Sequence, residues 1–206
     1  VVLRLTEQIQ NCILVHQQPN ARIARSGNLD PERVWRAPLL DDSRVFRCAE
    51  EENQPSFTVD LLLDASASRL HCQEVIAAQG AILAESLSRC HIPVRVSSFC
   101  SLRGYTVLRV LKHFKDKQWQ GVNQYFASGW NRDGLALRAA GDLLDFDPGP
   151  APRHLLILLT DASPHDSRRV PPSPEQPLGC DYGGSYGVDD AAAEVRTLRR
   201  KGLRVS

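Results

Sequence analysis

The chain has 206 residues, with 25 Lys and Arg, 24 Asp and Glu and a formal net charge of +1, and 42% of its residues are hydrophobic. This length suits one domain with an extension, and the balanced charge excludes both a globally basic nucleic-acid binder and a strongly acidic tail-type protein. Because no apolar run approaches the roughly 18 residues that span a bilayer, we expect neither a membrane segment nor a membrane or nucleic-acid partner.

Residues 1–56 are predicted to form an N-terminal extension that is helical or irregular. The spacing of apolar residues predicts a helix over 1–15. Asp30 followed by Pro31 is typical of a helix start, with Asp30 as the N-cap. The polar and acidic stretch 41–55 predicts a connector to the domain that follows.

From residue 57 onward, short apolar runs alternate with helical periodicity, which is typical of an α/β fold with a largely parallel sheet. In chain order the pattern predicts strands over 57–63, 93–100, 105–111, 154–160 and from 203, and helices over 71–90, 133–145 and 188–201. The strand over 105–111 is predicted to run antiparallel to the one before it, and 170–186 is predicted to be a loop. Since the chain opens without Met and stops as a strand begins, we interpret 57–206 as a domain truncated at its C-terminus.

The two most apolar strands both end in loops that contain an aspartate, Asp64 and Asp161. Ligands of parallel sheets bind beyond the carboxyl ends of the strands, so these residues mark the expected site if the two strands are neighbours. Asp64, Ser66 and Ser68 place a carboxylate and two hydroxyls in one tight loop. Hard oxygen ligands of this kind suit Mg²⁺ or Mn²⁺.

Three more polar residues are candidates for the same site. Asn131 and Asp133 lie at the start of a predicted helix, and Asp166 follows Asp161 in the same loop. Each has a structural alternative, because Asn131 is a common turn residue, Asp133 suits a helix N-cap and Asp166 could shape its loop. Asp133 is a candidate ligand or supporting residue, and Asp166 a candidate supporting residue behind the ligands.

These segments together resemble the von Willebrand factor A (VWA) domain and its metal-ion-dependent adhesion site. That site draws on a D-x-S-x-S loop, a Thr in a second loop and an Asp after a central strand. The match is residue by residue for Asp64, Ser66, Ser68 and Asp161, whereas the family's Thr position falls on Asn131. The resemblance implies a Rossmann-like, three-layer α/β fold, with a mostly parallel central sheet, one antiparallel edge strand and helices on both faces.

Three stretches resemble one subgroup, which contains the nitric oxide reductase activation proteins and the VWA subunit of cobaltochelatase. They are G-N-L-D-P-E-R-V-W-R at 27–36, N-R-D-G at 131–134 and D-Y-G-G-S-Y-G-V-D-D at 181–190, and the resemblance covers about residues 27–206. It implies a cytoplasmic accessory or adaptor subunit that works with a MoxR-type AAA+ ATPase in the activation of a target protein or in metal insertion.

The chemistry that this resemblance implies is binding rather than turnover. A Mg²⁺ or Mn²⁺ ion held by few carboxylates keeps residual positive charge. An open coordination position would then accept an Asp or Glu of a protein partner. The implied metal ligands are Asp64, Ser66, Ser68, Asn131 and Asp161.

Two other function classes stay open at this point. A Mg²⁺-dependent hydrolase or phosphatase also uses an Asp at a strand end, but a haloacid dehalogenase-type loop needs a second Asp where Ser66 stands. The G-x-S-x-G elbow, the P-loop and the dinucleotide glycine motif are all absent, so we expect no enzyme. The third class is a structural VWA domain with an empty metal site. The six widely spaced cysteines favour reduced thiols, in keeping with a cytoplasmic protein.

Overall fold

The computed structural model describes residues 1–16, 21–40, 42–49, 57–172 and 177–206. This described part divides into two compact units, Val1–Thr6 with Pro55–Ser206, and Glu7–Gln54. Its α-helices are α1 (Val2–His16), α2 (Arg36–Leu40), α3 (Gln73–Arg89), α4 (Asp133–Phe146) and α5 (Gly184–Arg200). Its strands are β1 (Ala21–Ala24), β2 (Asn28–Leu29), β3 (Phe46–Ala49), β4 (Phe57–Asp64), β5 (Val94–Leu102), β6 (Tyr105–Lys112), β7 (Arg153–Leu159), β8 (Asp166–Val170), β9 (Cys180–Tyr182) and β10 (Arg204–Val205). Short 3-10 helices cover Ala67–Cys72 and Gln120–Gln124.

The smaller unit contains a short antiparallel sheet in the order β1-β3-β2. Strand β3 lies inside the stretch 41–55, so the prediction of a connector there is wrong for 46–49, while 41 and 50–55 lie outside the described residues. Asp30 does accept a hydrogen bond from the backbone N–H of Glu32 at 3.1 Å, as a cap would. The chain then forms turns over 31–35, and α2 begins only at Arg36, later than the capping pattern predicts.

The larger unit is built on a five-stranded sheet in the order β10-β7-β4-β5-β6. Strand β6 is antiparallel to β5 at one edge, and the other neighbouring pairs are parallel. Leu61 in the middle of β4 lies opposite Val96 of β5 and Ile157 of β7. Strands β4 and β7 are therefore neighbours, and the loops that follow them leave the sheet at the same edge.

The two faces of this sheet pack against different helices. Leu63 points towards α3, because a Cβ added to Gly80 of that helix would lie 3.1 Å from Cδ1 of Leu63. On the opposite face, Leu62 of β4 packs with Leu137 of α4 and Leu198 of α5 in a buried cluster. Burial of such a leucine is worth about 1.5–3 kcal/mol. The expected α/β class, with a mostly parallel sheet, one antiparallel edge strand and helices on both faces, is confirmed.

The stretch 170–186, predicted to be a loop, contains regular secondary structure in its described residues. Strands β8 and β9 pair antiparallel, with Asp166 opposite Tyr182. Helix α5 starts at Gly184, four residues before the predicted start at 188.

Within the described residues, no helix is long and apolar enough to cross a membrane. Where cysteine side chains are described, Cys72, Cys90, Cys100 and Cys180 form no disulfide. Cys90 is buried, which raises the pKa of its thiol, whereas Cys72 is half-buried.

Candidate metal centre

The loop after β4 is held tightly by its own hydrogen bonds. Asp64 is fully buried, and its Oδ1 accepts a hydrogen bond from the backbone N–H of Ser66 at 2.8 Å. The hydroxyls of Ser66 and Ser68 lie 2.9 Å apart. The hydroxyl of Tyr125 donates to the backbone oxygen of Asp64 at 2.5 Å, and burial raises the pKa of this phenol, so it remains a donor. The loop thus fixes one carboxylate and two hydroxyls in place.

The second loop brings Asp133 to the same place. Asp133 is the first residue of α4, where a carboxylate is stabilised by the positive end of the helix dipole. Its Oδ1 accepts a hydrogen bond from Nδ2 of Asn131 at 3.3 Å. The amide oxygen of Asn131 accepts the backbone N–H of His165 at 3.0 Å, so this side chain links two loops and also supports Asp133.

Thr160, the residue directly after β7, connects the first two loops. Its hydroxyl lies 3.3 Å from Oδ2 of Asp64 and 3.4 Å from Oδ2 of Asp133. A hydroxyl has one proton, so it donates to one of these carboxylates at a time. Asp64, Thr160 and Asp133 therefore form one contiguous group of oxygens at the carboxyl ends of β4 and β7.

Asp161 is placed differently from the other aspartates. Its Oδ1 accepts the backbone N–H of Ser163 at 3.1 Å, and its Oδ2 forms an ion pair with Nη2 of Arg69. The same guanidinium approaches the first loop, where Nε of Arg69 lies 3.9 Å from Oδ2 of Asp64. An arginine thus lies between the carboxylates that end β4 and β7.

The charge at this site is predominantly negative. Asp64 and Asp133 are both buried, and Arg69 is the cation that contacts Asp64 and Asp161. Burial, together with the nearby Asp64 carboxylate, raises the pKa of Asp133 to about 6, against the hydrogen bonds from Thr160 and Asn131 that lower it. A bound cation would relieve the repulsion between the two buried carboxylates.

Asp166, a candidate supporting residue, does not contact Asp64, Thr160 or Asp133 in the contacts that the structure describes. Its carboxylate accepts a hydrogen bond from Nε of Arg132 at 2.5 Å and another from the backbone N–H of Arg168 at 2.9 Å. Arg132 also lies over the ring of Tyr182, with 4.8 Å between its Cζ and the ring centroid. Because Arg132 stands between Asn131 and Asp133 in the chain, Asp166 fixes the loop that presents Asp133.

The donor set fits a hard divalent cation. In the ranges that the structure describes, no group of three or more His, Cys, Asp or Glu side chains is arranged to hold a metal ion. The oxygens that do converge are those of Asp64, Asp133 and Thr160, and the hydroxyls of Ser66 and Ser68 follow Asp64 in the same loop. Such an all-oxygen set suits Mg²⁺ or Mn²⁺ and does not suit Zn²⁺, which prefers nitrogen and sulfur.

Two residues of this site, Thr160 and Arg69, are absent from the candidates that the sequence provided. Thr160 directly precedes Asp161 in the sequence. Two consecutive polar residues after an apolar strand could have indicated that Thr160 belongs to the same site. Arg69 directly follows the D-x-S-x-S loop, and its role depends on the adjacency of β4 and β7. The site that the sequence placed at these strand ends therefore gains one hydroxyl and one cation.

Comparison with known proteins adds likenesses of fold only. No family model matches the chain, and no curated protein matches it. Among solved structures, the vWF domain of the type V pili tip protein Mfa5 from Porphyromonas gingivalis aligns with 59% of this chain and 42% of that chain, at 13% identity and a TM-score of 0.44. A structure of three N-terminal domains of the same protein aligns with 56% of this chain and 22% of that one, at 13% identity and a TM-score of 0.41.

A D319A mutant of the PilB minor pilin from Streptococcus sanguinis aligns with 78% of this chain and 52% of that chain. The identity is 14% and the TM-score is 0.46. The chain thus spans between about a fifth and a half of the length of these three structures.

Proposed function

We propose that this chain is a VWA-type module that binds Mg²⁺ or Mn²⁺ at the carboxyl edge of its sheet and uses the ion to bind a protein partner. The observation that supports this most is the group formed by Asp64, Asp133 and Thr160, with the hydroxyls of Ser66 and Ser68 on the same loop as Asp64. The D-x-S-x-S spacing and the order of the loops are those of the VWA adhesion site.

The ion would supply an electrophilic centre for a carboxylate of the partner. The buried carboxylates Asp64 and Asp133 provide the negative charge that holds the ion, and the hydroxyls add neutral oxygens. An octahedral ion held by five oxygen donors keeps one open coordination position, and an Asp or Glu of the partner fills it. We propose Asp161 and Asn131 as supporting residues of this site, alongside the five oxygen donors.

We propose binding rather than catalysis as the role of this site. The hydroxyl of Ser66 is bonded to that of Ser68, not to a histidine or carboxylate that would activate it as a nucleophile. A phosphatase of the haloacid dehalogenase type would need a second Asp where Ser66 stands. The alternative is a structural domain with an empty site, which would not respond to metal. Thermal unfolding with and without metal tests this alternative.

We further propose that the partner is a MoxR-type AAA+ ATPase and that the protein acts in the cytoplasm as an accessory subunit for activation of a target or for metal insertion. The support comes from the sequence stretches 27–36, 131–134 and 181–190, which resemble the nitric oxide reductase activation and cobaltochelatase subgroup. Surface plasmon resonance with a purified MoxR-type ATPase tests this directly. Binding is expected in Mg²⁺ and is expected to vanish in EDTA and in Asp64→Ala.

Thermal unfolding in EDTA, Mg²⁺ or Mn²⁺ tests the metal site itself. A ligand at 100 times its Kd stabilises a protein by about 2.7 kcal/mol, which raises the melting temperature by several degrees. We expect this rise in the wild type and not in Asp64→Ala. Asp181→Ala is the matched control, because Asp181 is exposed on β9 and pairs with Arg169. An equal rise in Asp64→Ala, or none in the wild type, would refute the proposed site.

A further inference from the structure

Arg69 lies where a metal ion at this site would have to compete with it. The residue belongs to the 3-10 helix Ala67–Cys72, directly after the D-x-S-x-S loop. Its backbone N–H donates to the backbone oxygen of Ser66 at 2.9 Å, so the loop that carries the candidate ligands also sets the position of Arg69. Its guanidinium then reaches from Asp64 to Asp161.

The contacts of this guanidinium are incomplete. Nη2 pairs with Asp161, but Nε, which is buried, has no hydrogen-bond partner among the residues that the structure describes and lies 3.9 Å from Oδ2 of Asp64. A satisfied structural arginine donates most of its five N–H groups, and a buried donor without a partner costs free energy. Arg69 therefore offsets part of the negative charge of the site without being held by a full set of hydrogen bonds.

We propose, on the basis of the proposed metal-binding function, that Arg69 is a built-in competing cation that sets the metal affinity of the site. In the metal-free protein its guanidinium balances Asp64 and Asp161. A divalent ion bound at Asp64 lies next to the guanidinium, and the repulsion between the two cations displaces Arg69 from Asp161 into solvent. Because a guanidinium remains charged at all physiological pH values, this competition does not depend on its titration.

The surroundings of Arg69 allow this displacement. Its side chain is 20% exposed, and its partner Asp161 is 30% exposed. Its neighbours Ser68 and Leu70 are exposed as well, so a long arginine side chain has solvent on one side of the loop. The metal must replace an ion pair as well as water, so the wild-type site binds divalent ions more weakly than its oxygen donors alone would.

The test is direct measurement of Mn²⁺ binding by electron paramagnetic resonance, in which free Mn²⁺ gives the signal that binding removes. Arg69→Gln is expected to bind Mn²⁺ roughly fivefold more tightly than the wild type, equivalent to the loss of one competing ion pair of about 1 kcal/mol. Arg69→Lys keeps the positive charge on a shorter side chain. Its affinity for Mn²⁺ is expected to lie between those of the wild type and Arg69→Gln. Arg89→Gln is the matched control, since Arg89 is an exposed arginine paired with Glu85 on α3, and its affinity should equal that of the wild type.

Each outcome decides between this inference and the function on which it rests. Tighter binding by Arg69→Gln, including binding that is detectable only in that variant, supports the inference. Equal or weaker binding by Arg69→Gln, with the wild type still binding, overturns the inference and leaves the proposed metal site standing. No binding by any of the variants overturns both. Circular dichroism spectra of the variants confirm that each one is folded.

Discussion

Two aspartates on the same face of β4, Asp60 and Asp64, each lie beside an arginine, and the two arginines are held in different ways. Arg95, beside Asp60, is 1% exposed. Its Nε donates to Asp60 at 2.5 Å, its Nη1 donates to the backbone oxygen of Asp147 at 3.2 Å, and its Cζ lies 4.6 Å from the ring centroid of Phe114. These three contacts hold a buried arginine in the core, although its Nη2 has no hydrogen-bond partner among the described residues.

Arg69, beside Asp64, belongs to the 3-10 helix Ala67–Cys72, and its side chain is 20% exposed. Its guanidinium pairs with Asp161 and lies 3.9 Å from Oδ2 of Asp64. Asp60, within β4, thus lies beside a buried arginine of β5, and Asp64, at the carboxyl end of β4, lies beside a partly exposed arginine that we propose to be displaceable. From this difference we expect a buried carboxylate on a parallel strand to bind a divalent ion only where the neighbouring cation can leave. The predictions below test this contrast.

The largest expected effect is at the fixed arginine. Arg95→Met leaves the buried Asp60 carboxylate without its cation, and removal of one partner of a buried pair costs about 3–5 kcal/mol. Urea unfolding measures this loss. Arg89→Met, which removes an exposed ion pair on α3, should cost under about 0.5 kcal/mol. A loss below about 1 kcal/mol for Arg95→Met would mean that the core does not depend on this cation.

The cost of Arg95→Met is also expected to depend on pH. Burial raises the pKa of Asp60 to about 6 in the wild type, and the charge of Arg95 opposes that rise. Without Arg95 the pKa of Asp60 in the folded state is higher still, whereas an aspartate in the unfolded chain has a pKa of about 3.9. A raised pKa stabilises the fold at low pH, and this stabilisation is lost as the pH rises through the folded-state value.

The stability of Arg95→Met relative to Asp60→Asn/Arg95→Met should therefore fall as the pH rises from 5 to 8. The limiting slope for one group is about 1.4 kcal/mol per pH unit. Urea unfolding of both variants across this range provides the comparison, since the double variant lacks the titrating carboxylate. A difference that stays constant with pH would contradict the account of Asp60.

The smallest expected effect is at the displaceable arginine in the absence of metal. Arg69→Gln in EDTA should lower the free energy of unfolding by no more than about 1 kcal/mol, because partly exposed ion pairs contribute little. Urea unfolding under the conditions used for Arg95→Met makes the two arginines directly comparable. A loss as large as that of Arg95→Met would show that Arg69 is a structural cation and would remove the contrast between the two regions.

The sequence predicted the sheet well because its central strands are short, continuous apolar runs. β4 is buried along nearly all of its length and β7 is mostly half-buried, and buried strands of a parallel sheet have sequences of this kind. The hairpin β8–β9 was missed because Asp166 to Arg169 are polar throughout and show no alternation. The start of α5 at Gly184 was missed for a similar reason, since Gly183 and Gly184 are typical of loops rather than helices.

The candidate site was predictable in its position but not in its contacts. The aspartates at strand ends and the D-x-S-x-S spacing indicated the carboxyl edge of the sheet. Which oxygen faces which cation depends on the register between β4 and β7, and this register brings Thr160 to Asp64 and places Arg69 against Asp161. Local sequence contains no signal for such contacts between loops about 90 residues apart.

A crystal structure of the protein grown with MnCl₂, with anomalous diffraction data, would show directly whether a divalent ion binds at this edge of the sheet. The account predicts an anomalous peak within bonding distance of Asp64 and of the hydroxyls on its loop, with the guanidinium of Arg69 no longer paired with Asp161. No peak at this edge of the sheet, with Arg69 still between Asp64 and Asp161, would contradict both the metal site and the displaceable cation.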